Sequence, residues 1–201
     1  RLIRRQRQMC IRDSYTICYY RQDFGRLNAD KDSYGVPRSK SIQTTPAHQL
    51  ALAAVYYSPL QYMYWYDKPS DAQDEPELKF FDDVYTTWDD TKVLQGEVGE
   101  FITIARRKGE EWFIGSITNN EARALSVSLD FLPEGKNYIA EIYTDGDTSV
   151  KTRTKVRVST YRVSNKTRLN FCLKASGGSA VRLVPDDGNI KSVKNYKQQR
   201  L

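Results

Sequence analysis

The chain has 201 residues, of which 39% are hydrophobic and 28% charged, ordinary globular usage that excludes a wholly disordered polypeptide. Its length suits one complete domain plus part of another. No apolar run approaches the roughly 18–20 residues a helix needs to span a bilayer, so no membrane is expected. The net charge of +6 sits at the ends: residues 1–14 hold five arginines against one aspartate, residues 186–201 hold four cations against two aspartates, and the residues between sum to zero. A nucleic-acid binder concentrates positive charge on its folded surface, so no nucleic acid is expected either. Cys10, Cys18 and Cys172 are too few and too scattered for a disulfide scaffold or a paired-cysteine metal site.

In chain order, the arginine-rich segment 1–14 lacks the apolar core of a secretory signal and reads as a non-native basic extension, with the natural chain entering near Tyr15. The run YTICYY has the aromatic and β-branched composition of a buried strand. More than twenty residues without helical period follow, and loops of that length usually serve a function or are disordered. Thr45-Pro46 then supplies a helix cap and a proline at the first helical position. Ala47 to Tyr57 carries almost no charge and predicts a helix buried on most of its surface, with a break at Ser58-Pro59. The aromatic stretch LQYMYWY argues for packing against a second layer or for a cleft wall. A polar segment over 67–77 and a short amphipathic piece, LKFFDDV, complete the region.

From Thr91 the period changes to two, and eight strands are predicted: TKVLQGEV, EFITIAR, EWFIGSIT, ARALSVSLD, NYIAEIYT, KVRVSTYRV, TRLNFCL and SAVRLV. Turn residues separate them, among them Lys108-Gly109, Asp145-Gly146-Asp147 and Gly177-Gly178. Half-apolar antiparallel sheets need a second sheet to cover them, which predicts a sandwich. The tail 186–201 is polar and aperiodic and reads as a solvated extension. The front part, one strand and one helix, cannot bury enough surface to offset the entropy of ordering it. The expected fold class is therefore α+β: the last β-α unit of a (β/α)8 barrel followed by an antiparallel β-sandwich. Its divisions are 1–14 basic segment, 15–90 barrel end with linker, 91–185 sandwich and 186–201 polar tail.

The runs His48-Gln49-Leu50-Ala51-Leu52, Tyr57-Ser58-Pro59-Leu60-Gln61, Trp88-Asp89-Asp90-Thr91 and Ile102-Thr103-Ile104-Ala105-Arg106 resemble the C-terminal part of glycoside hydrolase family 97 over roughly residues 15–185. The resemblance implies an N-terminal β-supersandwich, a central (β/α)8 barrel and a C-terminal sandwich. It also implies hydrolysis of α-glycosidic bonds, α-glucosidase-like, of an oligosaccharide or α-glycoside substrate, with a bound calcium ion and export to the periplasm or beyond. The two catalytic carboxyl groups and the calcium ligands come in the family from barrel loops before the segment corresponding to Tyr15. No catalytic or metal-binding residue is mapped onto this chain, and the chain alone is expected to be inactive. The rival reading is a stand-alone carbohydrate-binding or structural sandwich.

Sugars are held by aromatic platforms and fixed donors, and Tyr19, Tyr20, Tyr34, Arg38 and Lys40 are candidates for substrate binding at the expected barrel mouth. The same residues could simply pack, in the case of Tyr19 and Tyr20, or face water. The carboxylate pairs Asp89-Asp90, Glu97/Glu100 and Glu110-Glu111 read as structural or solvated, because adjacent strand residues point to opposite faces. His48, the sole histidine, is expected to be a hydrogen-bonded structural residue. Cys18 and Cys172 are expected to pack as small apolar side chains. Tyr62, Tyr64, Trp65 and Tyr66 are expected to line the junction between barrel unit and sandwich.

Overall fold

The computed structural model describes residues 14–19, 43–65, 75–188 and 192–197. Strand β1 (Ser14–Tyr19) leads through helix α1 (Pro46–Val55) to β2 (Leu60–Trp65), and β1 and β2 pair in parallel, with Thr16 opposite Tyr62. A crossover helix between parallel neighbours makes a β-α-β unit. The front part thus contains a second strand, β2, that the aromatic run LQYMYWY did not disclose.

Helix α1 starts where the sequence indicates. Thr45 is its N-cap, accepting from the His48 N–H at 3.2 Å, and Pro46 opens the first turn. It stops at Val55, two residues short of the expected Tyr57, with Tyr56 already extended (ψ 130°). The residue before a proline is driven out of the helical region, and the chain straightens ahead of Ser58-Pro59. All ten residues of α1 are buried. A helix apolar on every side needs cover on every side, and α1 has the β1–β2 pair against it on one side and a large sheet on the other.

That sheet belongs to the sandwich, whose eight strands correspond to the eight predicted. They are β3 (Asp90–Glu97), β4 (Phe101–Lys108), β5 (Glu111–Thr118), β6 (Arg123–Ser128), β7 (Asn137–Asp145), β8 (Val156–Ser164), β9 (Arg168–Leu173) and β10 (Gly178–Pro185). Six form one sheet in the order β3-β4-β5-β10-β7-β8, and β6 and β9 form a second; every pairing within these two sheets is antiparallel. Trp112, Ile114, Val181 and Leu183 face a core shared with Leu125, Val127, Leu169 and Phe171 of the small sheet. Phe113, Tyr143 and Ala180 face a second core with Leu50, Ala53 and Ala54 of α1 and with Phe80 of the short helix α2 (Lys79–Asp83). Strands covered on both faces read as continuous apolar runs, whereas strands with one wet face alternate. Accordingly β5 is buried at nearly every position and β9 at every second one. Alternation also puts Cys172 outward, exposed rather than packed.

Both outer edges of the large sheet are managed, as exposed edges must be to avoid stray pairing. On β3 the register slips between Val93 and Gln95, a bulge that interrupts the ladder. On β8 the tail returns: the Arg162 N–H donates to the Lys194 carbonyl at 2.9 Å, and the Tyr196 N–H donates to the Arg162 carbonyl at 3.0 Å. The Tyr196 hydroxyl accepts the Asn170 N–H of β9 at 3.0 Å, and its ring meets Tyr161 edge-on at 5.3 Å. Residues 192–197 are therefore a strap joining the two sheets, not the solvated extension that polarity suggests. Three polar backbone and hydroxyl groups do the holding, and they leave no hydrophobic period to read.

Candidate functional site

The most elaborate side-chain chemistry among the described residues lies where the β-α-β unit meets the sandwich. Two glycines on adjacent strands make room for α1. A Cβ on Gly115 would stand 2.5 Å from the Ala51 carbonyl oxygen, and one on Gly178 would stand 2.6 Å from the His48 Cα. Only glycine lets the helix backbone approach the sheet so closely.

Each end of α1 is then fastened. At its start the Thr45 N–H donates to the Ser176 carbonyl at 3.0 Å, and His48 Nδ1 lies 3.1 Å from the Gly177 carbonyl. The carbonyl can only accept, so Nδ1 carries the proton. Burial pushes the His48 pKa down, against the Gly177 carbonyl, which raises it. At the other end Arg106 of β4, 5% exposed, donates from Nε to the Ala54 carbonyl at 2.5 Å and from Nη2 to the Val55 carbonyl at 2.9 Å. Its Nη1 reaches Thr91 Oγ1 at 2.9 Å, and the guanidinium lies 5.6 Å from the Tyr57 ring centroid. Among the described residues no carboxylate pairs with it. It meets the unsatisfied carbonyls and negative dipole end that every helix C-terminus presents. Burial lowers its pKa, but a guanidinium keeps its charge throughout the working range.

A second network fixes α2. Arg182 of β10 donates to Glu111 at 2.9 Å and to Asp83 at 2.7 Å, and Lys79 bonds Glu141 at 2.8 Å and Asp83 at 3.0 Å. Burial works against the charge of Lys79, yet the bonds to Glu141 and Asp83 outweigh it and raise its pKa. Beside this network, Glu77 is wholly buried; its Oε1 accepts from the Tyr19 hydroxyl at 2.8 Å and from the Thr154 hydroxyl. Burial, then the neighbouring Glu77 charge, holds the Tyr19 phenol well above the usual tyrosine range. Arg153 stands 3.4 Å from the carboxylate of the buried Glu75.

Of the five residues expected to bind substrate, Tyr19 takes the packing role: it is fully buried, with Phe81 edge-on at 5.3 Å. Tyr20, Tyr34, Arg38 and Lys40 lie outside the described residues. Tyr62 is not at the junction as expected but 55% exposed; the side chains of Tyr64, Trp65 and Tyr66 lie outside the described set. The carboxylate pairs separate as strand geometry requires. Asp89 accepts the Gly109 N–H at 2.8 Å and pairs with Lys108, which together lower its pKa. Glu110 pairs with Lys136 while Glu111 pairs with Arg182. Glu97 and Glu100 bracket Gly99, whose φ of +79° marks the turn, and Glu100 binds Arg123 at 2.6 Å. Among the described residues no three His, Cys, Asp or Glu side chains converge to hold a metal ion. The described side chains thus offer no cluster that fits a calcium ion.

In the sequence Arg106 stands only as the last residue of a run that carries the family resemblance, with no role attached, and neither Glu77 nor Thr154 is marked. Arg106 carried a signal: in ITIAR it falls on the face of β4 that Ile102 and Ile104 share, where a cation needs a partner. Beside α1 runs an open groove of about 600 Å³, lined by Tyr56, Val93, Gly96, Ile102 and Ile117 with Glu97 at its rim.

A sandwich fastened at one sheet to a parallel β-α-β unit is the class of architecture in which an all-β domain supports an α/β one. Residues 87–184 match the family described as Glycosyl-hydrolase 97 C-terminal, oligomerisation. The chain is 34% identical over 158 residues to a retaining α-galactosidase of Bacteroides thetaiotaomicron, covering 78% of this chain and 23% of that protein. A family 97 enzyme of Pseudoalteromonas sp. strain K8, solved with acarbose, superposes with a TM-score of 0.68 at 33% identity over 84% of this chain and 26% of that one. A glutamate variant of a family 97 enzyme from the same strain, solved with panose, gives 0.63 at 36% identity over 71% and 23%. The chain belongs to glycoside hydrolase family 97 and corresponds to its C-terminal part. It spans about a quarter of the length of these relatives.

Proposed function

We propose that this chain is the C-terminal part of an exported α-glycosidase in which β1, α1 and β2 close a (β/α)8 barrel and the sandwich braces it. The observation that carries the reading is the parallel β1–β2 pair joined by α1, docked on the domain that matches the family. Parallel strands occur almost only in α/β sheets with both faces covered, and two strands with one helix are the smallest repeat of a barrel, whose helices form an outer ring. The acid, the nucleophile or base, and the calcium ligands belong to barrel loops outside these residues. The substrate is an α-glucoside or α-galactoside of an oligosaccharide. What this part contributes is rigidity: Arg106, His48 and the two glycines fix the angle at which α1, and with it the barrel wall, meets the sandwich.

Turnover of aryl α-glucosides and α-galactosides tests the reading. The chain alone is expected to give only the uncatalysed background, and a longer polypeptide containing it is expected to turn them over. Hydrolysis by the isolated chain would place the acids within it and overturn the proposal. The rival reading, a free-standing binding module, predicts saturable binding of maltooligosaccharides by the chain alone.

A further inference from the structure

Helix α1 crosses β5 and β10, reaches β4 where Arg106 holds its end, and leaves the β3 edge of the same sheet face open. On that face Val93 stands opposite Ile104, Gly96 opposite Ile102, and Ile102 opposite Ile117, so an aliphatic strip runs from the edge strand to the flank of the helix. Val93 is 67% exposed and Tyr56 48%, and the groove between them has about 600 Å³. At the rim Glu97 makes no ion pair among the described residues.

We infer that this groove seats a second α-helix of the same polypeptide, lying alongside α1 with an aliphatic face toward Val93 and Ile102 and a cation toward Glu97. The inference rests on the barrel reading and adds to it the contact surface. Three observations select this occupant. The chain spans about a quarter of its relatives' length, so most of a polypeptide of that size lies beyond it. The parallel pair β1–β2 needs further strands, and each brings its own crossover helix. Helices in one layer pack about 8–10 Å apart, and one step of that size from α1 across the sheet passes β4 and reaches the open β3 edge.

The test compares the chain with the longer polypeptide. Val93→Cys introduces a thiol on the strip, and the native Cys172, exposed on β9, serves as internal reference for alkylation followed by mass spectrometry. Thiol reactivity tracks access, and the expected result is a Val93→Cys rate lowered at least about tenfold relative to Cys172 in the longer protein only, independent of protein concentration. Hydroxyl-radical labelling of Tyr56 in the unsubstituted proteins reads the same protection without a substitution. Undiminished labelling of both positions in a longer protein that hydrolyses α-glycosides would overturn the inference and leave the barrel reading intact. Protection in the short chain that grows with its concentration would assign the groove to a second copy instead, and also overturn it. A longer protein that neither hydrolyses glycosides nor protects these positions would bring down both.

Discussion

Arg106 shows how one side chain can decide where a domain sits. It is buried, it has no carboxylate partner among the described residues, and two of its bonds go to the last carbonyls of α1. Arg106→Met keeps much of the volume and removes the donors, leaving two buried carbonyls unsatisfied at about 1–3 kcal/mol each. Urea denaturation is expected to show the midpoint falling accordingly, and Arg106→Lys to recover only part of it, since an ammonium lacks the fork that reaches both carbonyls. His48 supplies a pH signature. Its folded pKa lies below the ordinary 6.5, so the unfolded chain binds the proton more readily. The stability held by neutral His48 is full above about pH 6.5 and is lost as pH falls toward the folded value. His48→Gln is expected to flatten the slope of stability between pH 7.5 and 5.5; an unchanged slope would mean that His48 does not titrate against the fold. The histidine's structural role was legible from its isolation in a chargeless run. Glu77 was not legible, because its partners Tyr19 and Thr154 lie 58 and 77 positions away and no local pattern joins them.

At the scale of elements, close approach governs. A methyl on Gly115 would meet the Ala51 carbonyl oxygen at 2.5 Å, and backbone cannot swing aside as a side chain can. Gly115→Ala is expected to destabilise by roughly 1–3 kcal/mol, typical of overpacking, and to shift the α1 amide resonances more than those of β6 and β9. The strap at β8 gives a second prediction. Tyr196→Phe removes the acceptor for the Asn170 N–H and is expected to cost about 1 kcal/mol in thermal or urea unfolding; no change would show that the strap does not join the sheets. The eight sandwich strands were readable because binary alternation and turn residues are local signals. Strand β2 was hidden because its aromatic run has no alternation, and parallel pairing with β1 is a long-range fact. The strap was hidden because backbone hydrogen bonds at a sheet edge leave no mark on composition. The end of α1 was overestimated by two residues because the restriction from Pro59 reaches back further than the break itself.

On the scale of the molecule, a strand and a buried helix cannot hold themselves folded, and the sequence points to absent neighbours as the remedy. The structure locates one neighbour inside the chain: the large sheet offers α1 a glycine-floored seat, a carbonyl for His48 and a guanidinium for its far end. The strand-helix-strand unit and the sandwich are then expected to unfold as a single cooperative body, and a barrel built on that unit would inherit its orientation from the sandwich. The substrate residues expected at the barrel mouth fall mostly outside the described part, and the described face carries fastening chemistry in place of hydrolytic chemistry. Native-state hydrogen exchange tests this joint most directly. If α1 is locked to the sheet, the amides of residues 50–55 exchange only with global unfolding, at the same free energy as those of β5 and β10, within about 1 kcal/mol. Exchange of α1 at a far lower free energy, while β5 and β10 stay protected, would contradict the account.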